Sequence, residues 1–187
     1  MQGFKISRLS LKFILYFYHL YSSPMTRIGL LSDTHNYLHS SIPGFFSECN
    51  EIWHAGDMGN AGIAEELSKL KPFRGVYGNI DGQDVRKIYP KELRFMCEDV
   101  DVWITHIGGY PGRYDKEIKN RIMARPPKLF ICGHSHILKV INDKKLHLLH
   151  INPGAAGKYG MHVVLTAVRF TIDKEKIKDL EILELKR

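Results

Sequence analysis

A chain of 187 residues, 44% hydrophobic and 25% charged, has the length of one domain and the composition of an ordinary globular protein with a sizeable core. The formal charge of +7 overstates its basic character, because Lys5, Arg8 and Lys12 stand in residues 1–24 without an acid and leave +4 for the rest. No Lys/Arg run with interleaved aromatics is present, which argues against a dedicated nucleic-acid groove and leaves at most a mild attraction for anionic substrates.

Residues 1–24 read as an N-terminal extension ahead of a domain over 25–187. Three basic residues precede the short aromatic-rich run from Phe13 to Tyr21, and Ser22-Ser23-Pro24 follow. The outline is that of a signal peptide, but a small-x-small cleavage site is missing and the run is too short for an ordinary spanning helix. Met25 directly precedes a strand-like run, so we take it as the natural first residue. A helical or disordered extension and an export signal are the other two readings. Cys49, Cys97 and Cys132 are odd in number and far apart, which indicates neither a zinc ribbon nor a disulfide framework and suits the reducing cytoplasm.

From Met25 onward the pattern alternates strand and helix. Ile28 to Ser32 is a short apolar strand ending at Asp33-Thr34-His35. Spacing over Tyr37 to Asn50 predicts a helix with Leu38, Ile42, Phe45, Phe46 and Cys49 inward, weakened by Pro43-Gly44. A strand over Glu51 to His54 ends at Ala55-Gly56-Asp57, and Ala61 to Leu70 reads as an amphipathic helix with Ile63, Leu67 and Leu70 inward. Phe73 to Tyr77 is a third strand, ending at Gly78-Asn79-Ile80-Asp81. This βαβαβ opening predicts a largely parallel core.

Two strands, Glu92 to Cys97 and Asp101 to Thr105, follow around an acidic turn, and the second ends at His106. A helix over Tyr114 to Arg125 is stopped by Pro126-Pro127. The apolar run Lys128 to Cys132 reads as a buried strand that stops at Gly133, with His134 and His136 beyond it. In an extended segment residues two apart point the same way, so both imidazoles could reach one place. A hairpin is predicted from Ile137 to Ile141 and Leu146 to Ile151, and two last strands over about 162–172 and 177–185.

Asp33, His35, Asp57, Asn79, His106, His134 and His136 each fall just past the C-terminal end of a predicted strand, the edge at which open α/β sheets bind ligands. Taken singly these fragments are ordinary: Asp-x-His makes a capped turn, Gly-Asp and Gly-Asn make turns, and Thr105-His106 reads equally well as a core histidine. Taken together, two carboxylates, several imidazoles and a carboxamide form a mixed nitrogen/oxygen set suited to Mn, Fe, Ni or Zn rather than to calcium or soft copper. There are too many for one tetrahedral zinc, which points to two metals sharing a carboxylate.

That ordered set resembles the calcineurin-like metallophosphoesterase superfamily, whose blocks run D-x-H, G-D, G-N-H-[DE], H and G-H-x-H. The resemblance extends from Met25 to the C-terminal end, and the small size is similar to the compact bacterial and archaeal phosphodiesterase branch, relatives of which include a eukaryotic retromer subunit. It implies an α/β/β/α sandwich of two mixed β-sheets flanked by helices. It also implies that Asp33, His35 and His136 hold one metal, that Asn79, His106 and His134 hold a second, and that Asp57 bridges both.

Two divalent ions, manganese foremost with Ni, Fe, Zn or Mg as alternatives, would serve as cofactors. A pair of cations about 3.5–4 Å apart can acidify a shared water for in-line attack on phosphorus and offset the charge that develops there. The implied partner is a small phosphoester, with no membrane partner and with self-association into a homo-oligomer left open. Asp81 is a weaker catalytic candidate, as a support that fixes an imidazole; His54 could do the same or be a buried strand-end histidine. The family's G-N-H-[DE] histidine is replaced by Ile80, which lowers the expectation for poor leaving groups. A non-catalytic scaffold of the same fold is the alternative.

Overall fold

The computed structural model describes residues 25–187, so the readings made for 1–24 lie outside the described residues. The chain runs through β1 (Thr26–Leu31), α1 (Ser41–Phe45), β2 (Glu51–His54), α2 (Ala61–Leu70), β3 (Phe73–Gly75), α3 (Gln83–Arg86), β4 (Glu92–Cys97) and β5 (Val100–Thr105). A small hairpin of β6 (Gly109–Tyr110) and β7 (Arg113–Tyr114) then leads into α4 (Lys116–Ala124). The chain finishes with β8 (Leu129–Ile131), β9 (Leu138–Asp143), β10 (Leu148–Pro153), β11 (Val164–Asp173) and β12 (Lys176–Lys186).

Two five-stranded sheets result, in the orders β12-β11-β1-β2-β3 and β4-β5-β8-β10-β9. The opening βαβαβ unit is parallel, as its crossovers require, but β11 pairs antiparallel with β1 and β12 with β11. The second sheet is likewise mixed: β5, β8 and β10 run parallel, while β4 and β9 close its edges antiparallel. The largely parallel core expected from the opening therefore holds for β1-β2-β3, which fill one side of the first sheet, and for β5-β8-β10 at the centre of the second. The later hairpins add antiparallel edges that need no helical crossover.

Alternation along the strands builds the layers. Ile28, Leu30 and Trp53 from the first sheet meet Val102, Ile104, Leu129 and Ile131 from the second in one buried cluster, so the sheets face each other. Trp53 packs edge-on against Phe95 of the opposite sheet, ring centroids 5.2 Å apart, and such a pair adds about 0.5–1.5 kcal/mol beyond its burial. The other face of the first sheet carries Leu31, Ile52 and Ala167 under Ile42, Ile63, Leu67 and Val85 of the helices. The outer face of the second carries Trp103, Phe130 and Leu148 under Ile118 and Ile122 of α4. The architecture is the α/β/β/α sandwich.

Local differences have local causes. The helix predicted over Tyr37 to Asn50 shrinks to Ser41–Phe45, although Ile42, Phe46 and Cys49 are buried as expected. Leu38 falls in the bend that carries the chain away from Asp33-Thr34-His35, and Pro43 can serve only a first turn. Leu70, expected inward, is 37% exposed at the end of α2, and Ala64 takes its place in the core. The four-residue α3 and the β6–β7 hairpin are too short to show a period. Among the described residues, no helix is long and apolar enough to cross a membrane.

Candidate metal centre

β1, β2 and β3 end along one edge of the first sheet, and β5 and β8 along the facing edge of the second, so five strand ends converge. The loops leave those ends under strain. Asp33, His35, Asp57, His134 and His136 all have left-handed backbones, with φ of 54°, 46°, 57°, 68° and 57°. Non-glycine residues rarely adopt this conformation, and each instance costs on the order of 1 kcal/mol. The segment Gly133 to His136 is therefore turned rather than extended, and the two histidines enter neighbouring groups rather than pointing the same way.

Two groups of ligand-type side chains form as a result. Asp33, His35 and His136 bring one atom each within 4.8 Å of one another, and so do Asp57, His106 and His134. His35 Nε2 and His136 Nε2 are 3.3 Å apart. Asp57 Oδ2 lies 3.2 Å from His106 Nε2 and 4.0 Å from His35 Nε2, so this carboxylate faces both groups. Asn79 Oδ1 joins the second group, 3.1 Å from His106 Nε2. All seven predicted residues thus meet in one place. Gly78 permits the approach, since a Cβ there would overlap Asp57 Oδ1.

The surrounding hydrogen bonds hold these groups with defined free atoms. Asp33 Oδ2 accepts from Ser32 Oγ at 2.6 Å and from the His134 amide at 3.0 Å, which ties β1 to the loop after β8. Its Oδ1 is buried without a hydrogen-bond partner. His106 Nδ1 lies 2.7 Å from the Ala55 carbonyl. A carbonyl only accepts, so Nδ1 carries a proton, and Nε2 is the atom turned toward Asn79 Oδ1 and Asp57 Oδ2. A buried oxygen without a donor, beside imidazole lone pairs, is the chemistry of a cation site, and the donor set fits a divalent transition metal.

Asp81 and His54 contribute through the backbone. The Asp81 carboxylate accepts from the amides of Gly59 and Gly78, both at 2.7 Å, and no hydrogen bond joins it to an imidazole. Instead of the ring-fixing role read from the sequence, it clamps the loops that carry Asp57 and Asn79. His54 accepts from the Gly56 amide at 3.1 Å through Nδ1 and reaches Thr34 Oγ1 at 3.0 Å through Nε2, which links the loops of Asp33 and Asp57.

The charge states follow from this packing. Burial pushes the His54 pKa down to about 4 and also lowers that of His35, for which Asp33 and Asp57 offset part of the effect. For Asp57 burial works against the charge, but the hydrogen bond and charge of His106 and the Ile80 amide overcome it and lower the pKa. His106 moves the other way: burial opposes its protonation, and Asp57, Asp33 and the Ala55 carbonyl more than compensate. Neutral imidazoles and ionised carboxylates are the forms that ligate.

The family model described as the calcineurin-like phosphoesterase superfamily domain matches residues 26–175. The chain belongs to that superfamily. Calcineurin-like membership points to metal-dependent phosphoesterase activity. A probable metallophosphoesterase from Methanothermobacter thermautotrophicus is 27% identical over 135 residues, 68% of this chain and 76% of that protein. Among solved structures, vacuolar protein sorting 29 from Cryptosporidium parvum aligns with a TM-score of 0.68 at 14% identity, over 88% of this chain and 100% of that one. An archaeal protein described as a novel phosphodiesterase aligns with a TM-score of 0.63 at 22% identity, over 84% and 100%. These two likenesses carry the fold of the calcineurin-like domain.

Where calcineurin-like proteins carry the histidine of G-N-H-[DE], Ile80 is 45% exposed, and its amide donates to Asp57 Oδ1 at 3.1 Å. Sequence reasoning missed three further residues. Ser32 stands behind Asp33, while Asn152 Nδ2 donates to the Gly133 carbonyl at 2.7 Å and His162 touches His136 at 3.3 Å. Asn152 lies near the end of β10, and His162 was read as the start of a strand that in fact begins at Val164, so neither stood out as part of a ligand motif.

Proposed function

We propose that residues 25–187 form a dinuclear, metal-dependent phosphodiesterase. Asp33, His35 and His136 would hold one divalent ion, and His106, His134 and Asn79 the other, with Asp57 shared. Manganese is the first choice and Ni, Fe, Zn or Mg the alternatives. The observation that supports this reading above others is the buried, unpartnered Asp33 Oδ1 set among imidazole nitrogens. Leaving such an atom unpaired costs about 1–3 kcal/mol, and left-handed backbone at five of the seven residues adds to that cost. A bound cation recovers both.

Two bound cations acidify a water and offset charge at phosphorus. The chain's own residues orient that chemistry. The Ala55 carbonyl fixes the His106 tautomer, Asp81 holds the Asp57 and Asn79 loops in register, and Ser32 and the His134 amide aim Asp33. Ile80 has no proton to give, so a leaving group departs unassisted and an aryl or otherwise activated phosphodiester suffers least. A cleft of about 330 Å³ opens beside Asn79 and His106, bordered by Tyr77, Ile107 and Ile118, with room for one organic arm of a small substrate. The three cysteines are free, which suits the cytoplasm.

Purified protein with Mn²⁺ or Ni²⁺ should hydrolyse bis(p-nitrophenyl) phosphate, lose the activity to a chelator, and lose it in the folded Asp57→Asn variant. The second reading is a scaffold, favoured by Ile80 and by the likeness to vacuolar protein sorting 29. Full metal loading at both groups with no turnover across a panel of phosphoesters would decide for it.

A further inference from the structure

The loop between β10 and β11 brings in a histidine that no motif assigns. His162 Nε2 lies 2.8 Å from the carbonyl oxygen of Gly157. Because a carbonyl only accepts, Nε2 carries the proton, and neutral His162 has Nδ1 as an acceptor. That Nδ1 stands 3.3 Å from His136 Nδ1. The rings meet edge to face, with centroids 5.1 Å apart and planes at 75°. One of the two facing nitrogens has to donate; His162 Nδ1 has no proton, so His136 Nδ1 does.

His136 Nε2 is then left with a bare lone pair. It is this atom that lies 3.2 Å from Asp33 Oδ1 and 3.3 Å from His35 Nε2. Local structure is arranged for the contact. Gly160, at φ +123°, sits against both rings, where a Cβ would overlap His136 Nδ1 and come within 3.1 Å of His162 Nδ1. Arg187 Nη1 donates to the carbonyls of Gly160 at 2.8 Å and His162 at 3.2 Å, which holds the backbone on both sides of Met161.

We infer that His162 is a positioning residue: through a relay from the Gly157 carbonyl it sets the tautomer and ring orientation of His136, so that Nε2 faces the first group. It does across two imidazoles what the Ala55 carbonyl does for His106 in one bond. The inference rests on the proposed ligand set. Outer partners of this kind typically change metal affinity by about 10–100-fold.

Long-range imidazole ¹⁵N–¹H spectra of the metal-free full chain should show His136 as the Nδ1–H tautomer and His162 as the Nε2–H tautomer. Competition titration with Mn²⁺ against a chromophoric chelator should give two sites. His162→Phe should weaken one of them by roughly 10–100-fold and leave the other unchanged. His162→Gln, whose amide can donate to Gly157 and accept from His136, should restore most of that loss. Wild-type affinity at both sites in folded His162→Phe, or an Nε2–H tautomer at His136, would overturn the relay. If the wild type takes up no Mn²⁺, the ligand reading fails, and the spectra still decide the tautomer.

Discussion

Asp33 Oδ1 lies 3.2 Å from His136 Nε2, and no hydrogen-bond donor reaches it, although the residue is fully buried. A carboxylate oxygen and an imidazole lone pair repel in that arrangement unless a cation or a proton stands between them. Asp33→Asn should therefore separate stability from binding. Its amide can donate to His136 Nε2, so the metal-free variant should melt higher than the metal-free wild type by a few degrees, about 1–2 kcal/mol. Its melting temperature should no longer rise with Mn²⁺, whereas the wild type gains about 2.7 kcal/mol at a hundredfold excess over Kd. Differential scanning calorimetry of both proteins, with and without metal, measures the two effects; a metal-free variant less stable than wild type would contradict the first.

Asp81 tests the support of the second group. Its carboxylate is the acceptor for the Gly59 and Gly78 amides, and hydrogen bonds to charged groups contribute about 1.5–3 kcal/mol each. Asp81→Ala should lose roughly 3 kcal/mol in urea unfolding and lower phosphodiester turnover, since the loops of Asp57 and Asn79 lose their common anchor. A stable, fully active variant would show that the clamp is dispensable.

His150 makes stability depend on pH away from the candidate site. It is fully buried against Phe130, neither ring nitrogen has a partner, and burial, with Lys139 adding to it and Asp143 opposing it, lowers its pKa to about 4. As pH falls below about 6.5 the unfolded chain takes up a proton that the folded protein refuses until about 4. Stability is lost across that window and levels off beneath it. His150→Phe keeps the stacking and removes the titration, so its stability relative to wild type should grow by about 3 kcal/mol between pH 7 and pH 4. Urea midpoints of the two proteins across that range measure the difference, and parallel curves would refute it.

Ile80 offers a gain-of-function test. Placing a histidine beside Asn79 supplies the proton donor that G-N-H-[DE] sequences carry. Ile80→His should raise kcat for alkyl phosphodiesters by about 10²-fold while changing aryl diesters far less, because general acid catalysis matters most for poor leaving groups. Equal effects on both substrate classes would place the role of residue 80 elsewhere.

Much of this molecule was legible in one dimension because its signals are local. Short apolar runs mark β1, β2, β5 and β8, and in parallel α/β units ligand groups gather where such strands stop. The order of Asp33, His35, Asp57, Asn79, His106, His134 and His136 along the chain was enough to name the residues that meet. The α2 limits Ala61 and Leu70 were readable too, since ten residues at helical period carry their own pattern. The five-residue α1 was overestimated because apolar residues at helical spacing around Pro43-Gly44 pack from a bend as well as from a helix.

The tertiary structure decided what depends on contacts between distant segments. The resemblance already implied which histidine goes with which carboxylate; the structure adds the left-handed backbone at His134 and His136 that turns them into separate groups, a conformation residue type does not encode. The bare oxygen of Asp33, the proton positions on His106 and His136, and the loop clamp at Asp81 are set by carbonyls and amides, which every residue supplies alike and which only folding brings within reach. Sequence by itself determined the types and order of the candidate residues, because side-chain chemistry is local; the structure decided their partners and free atoms, because hydrogen bonds act over about 3 Å and do not register separation along the chain.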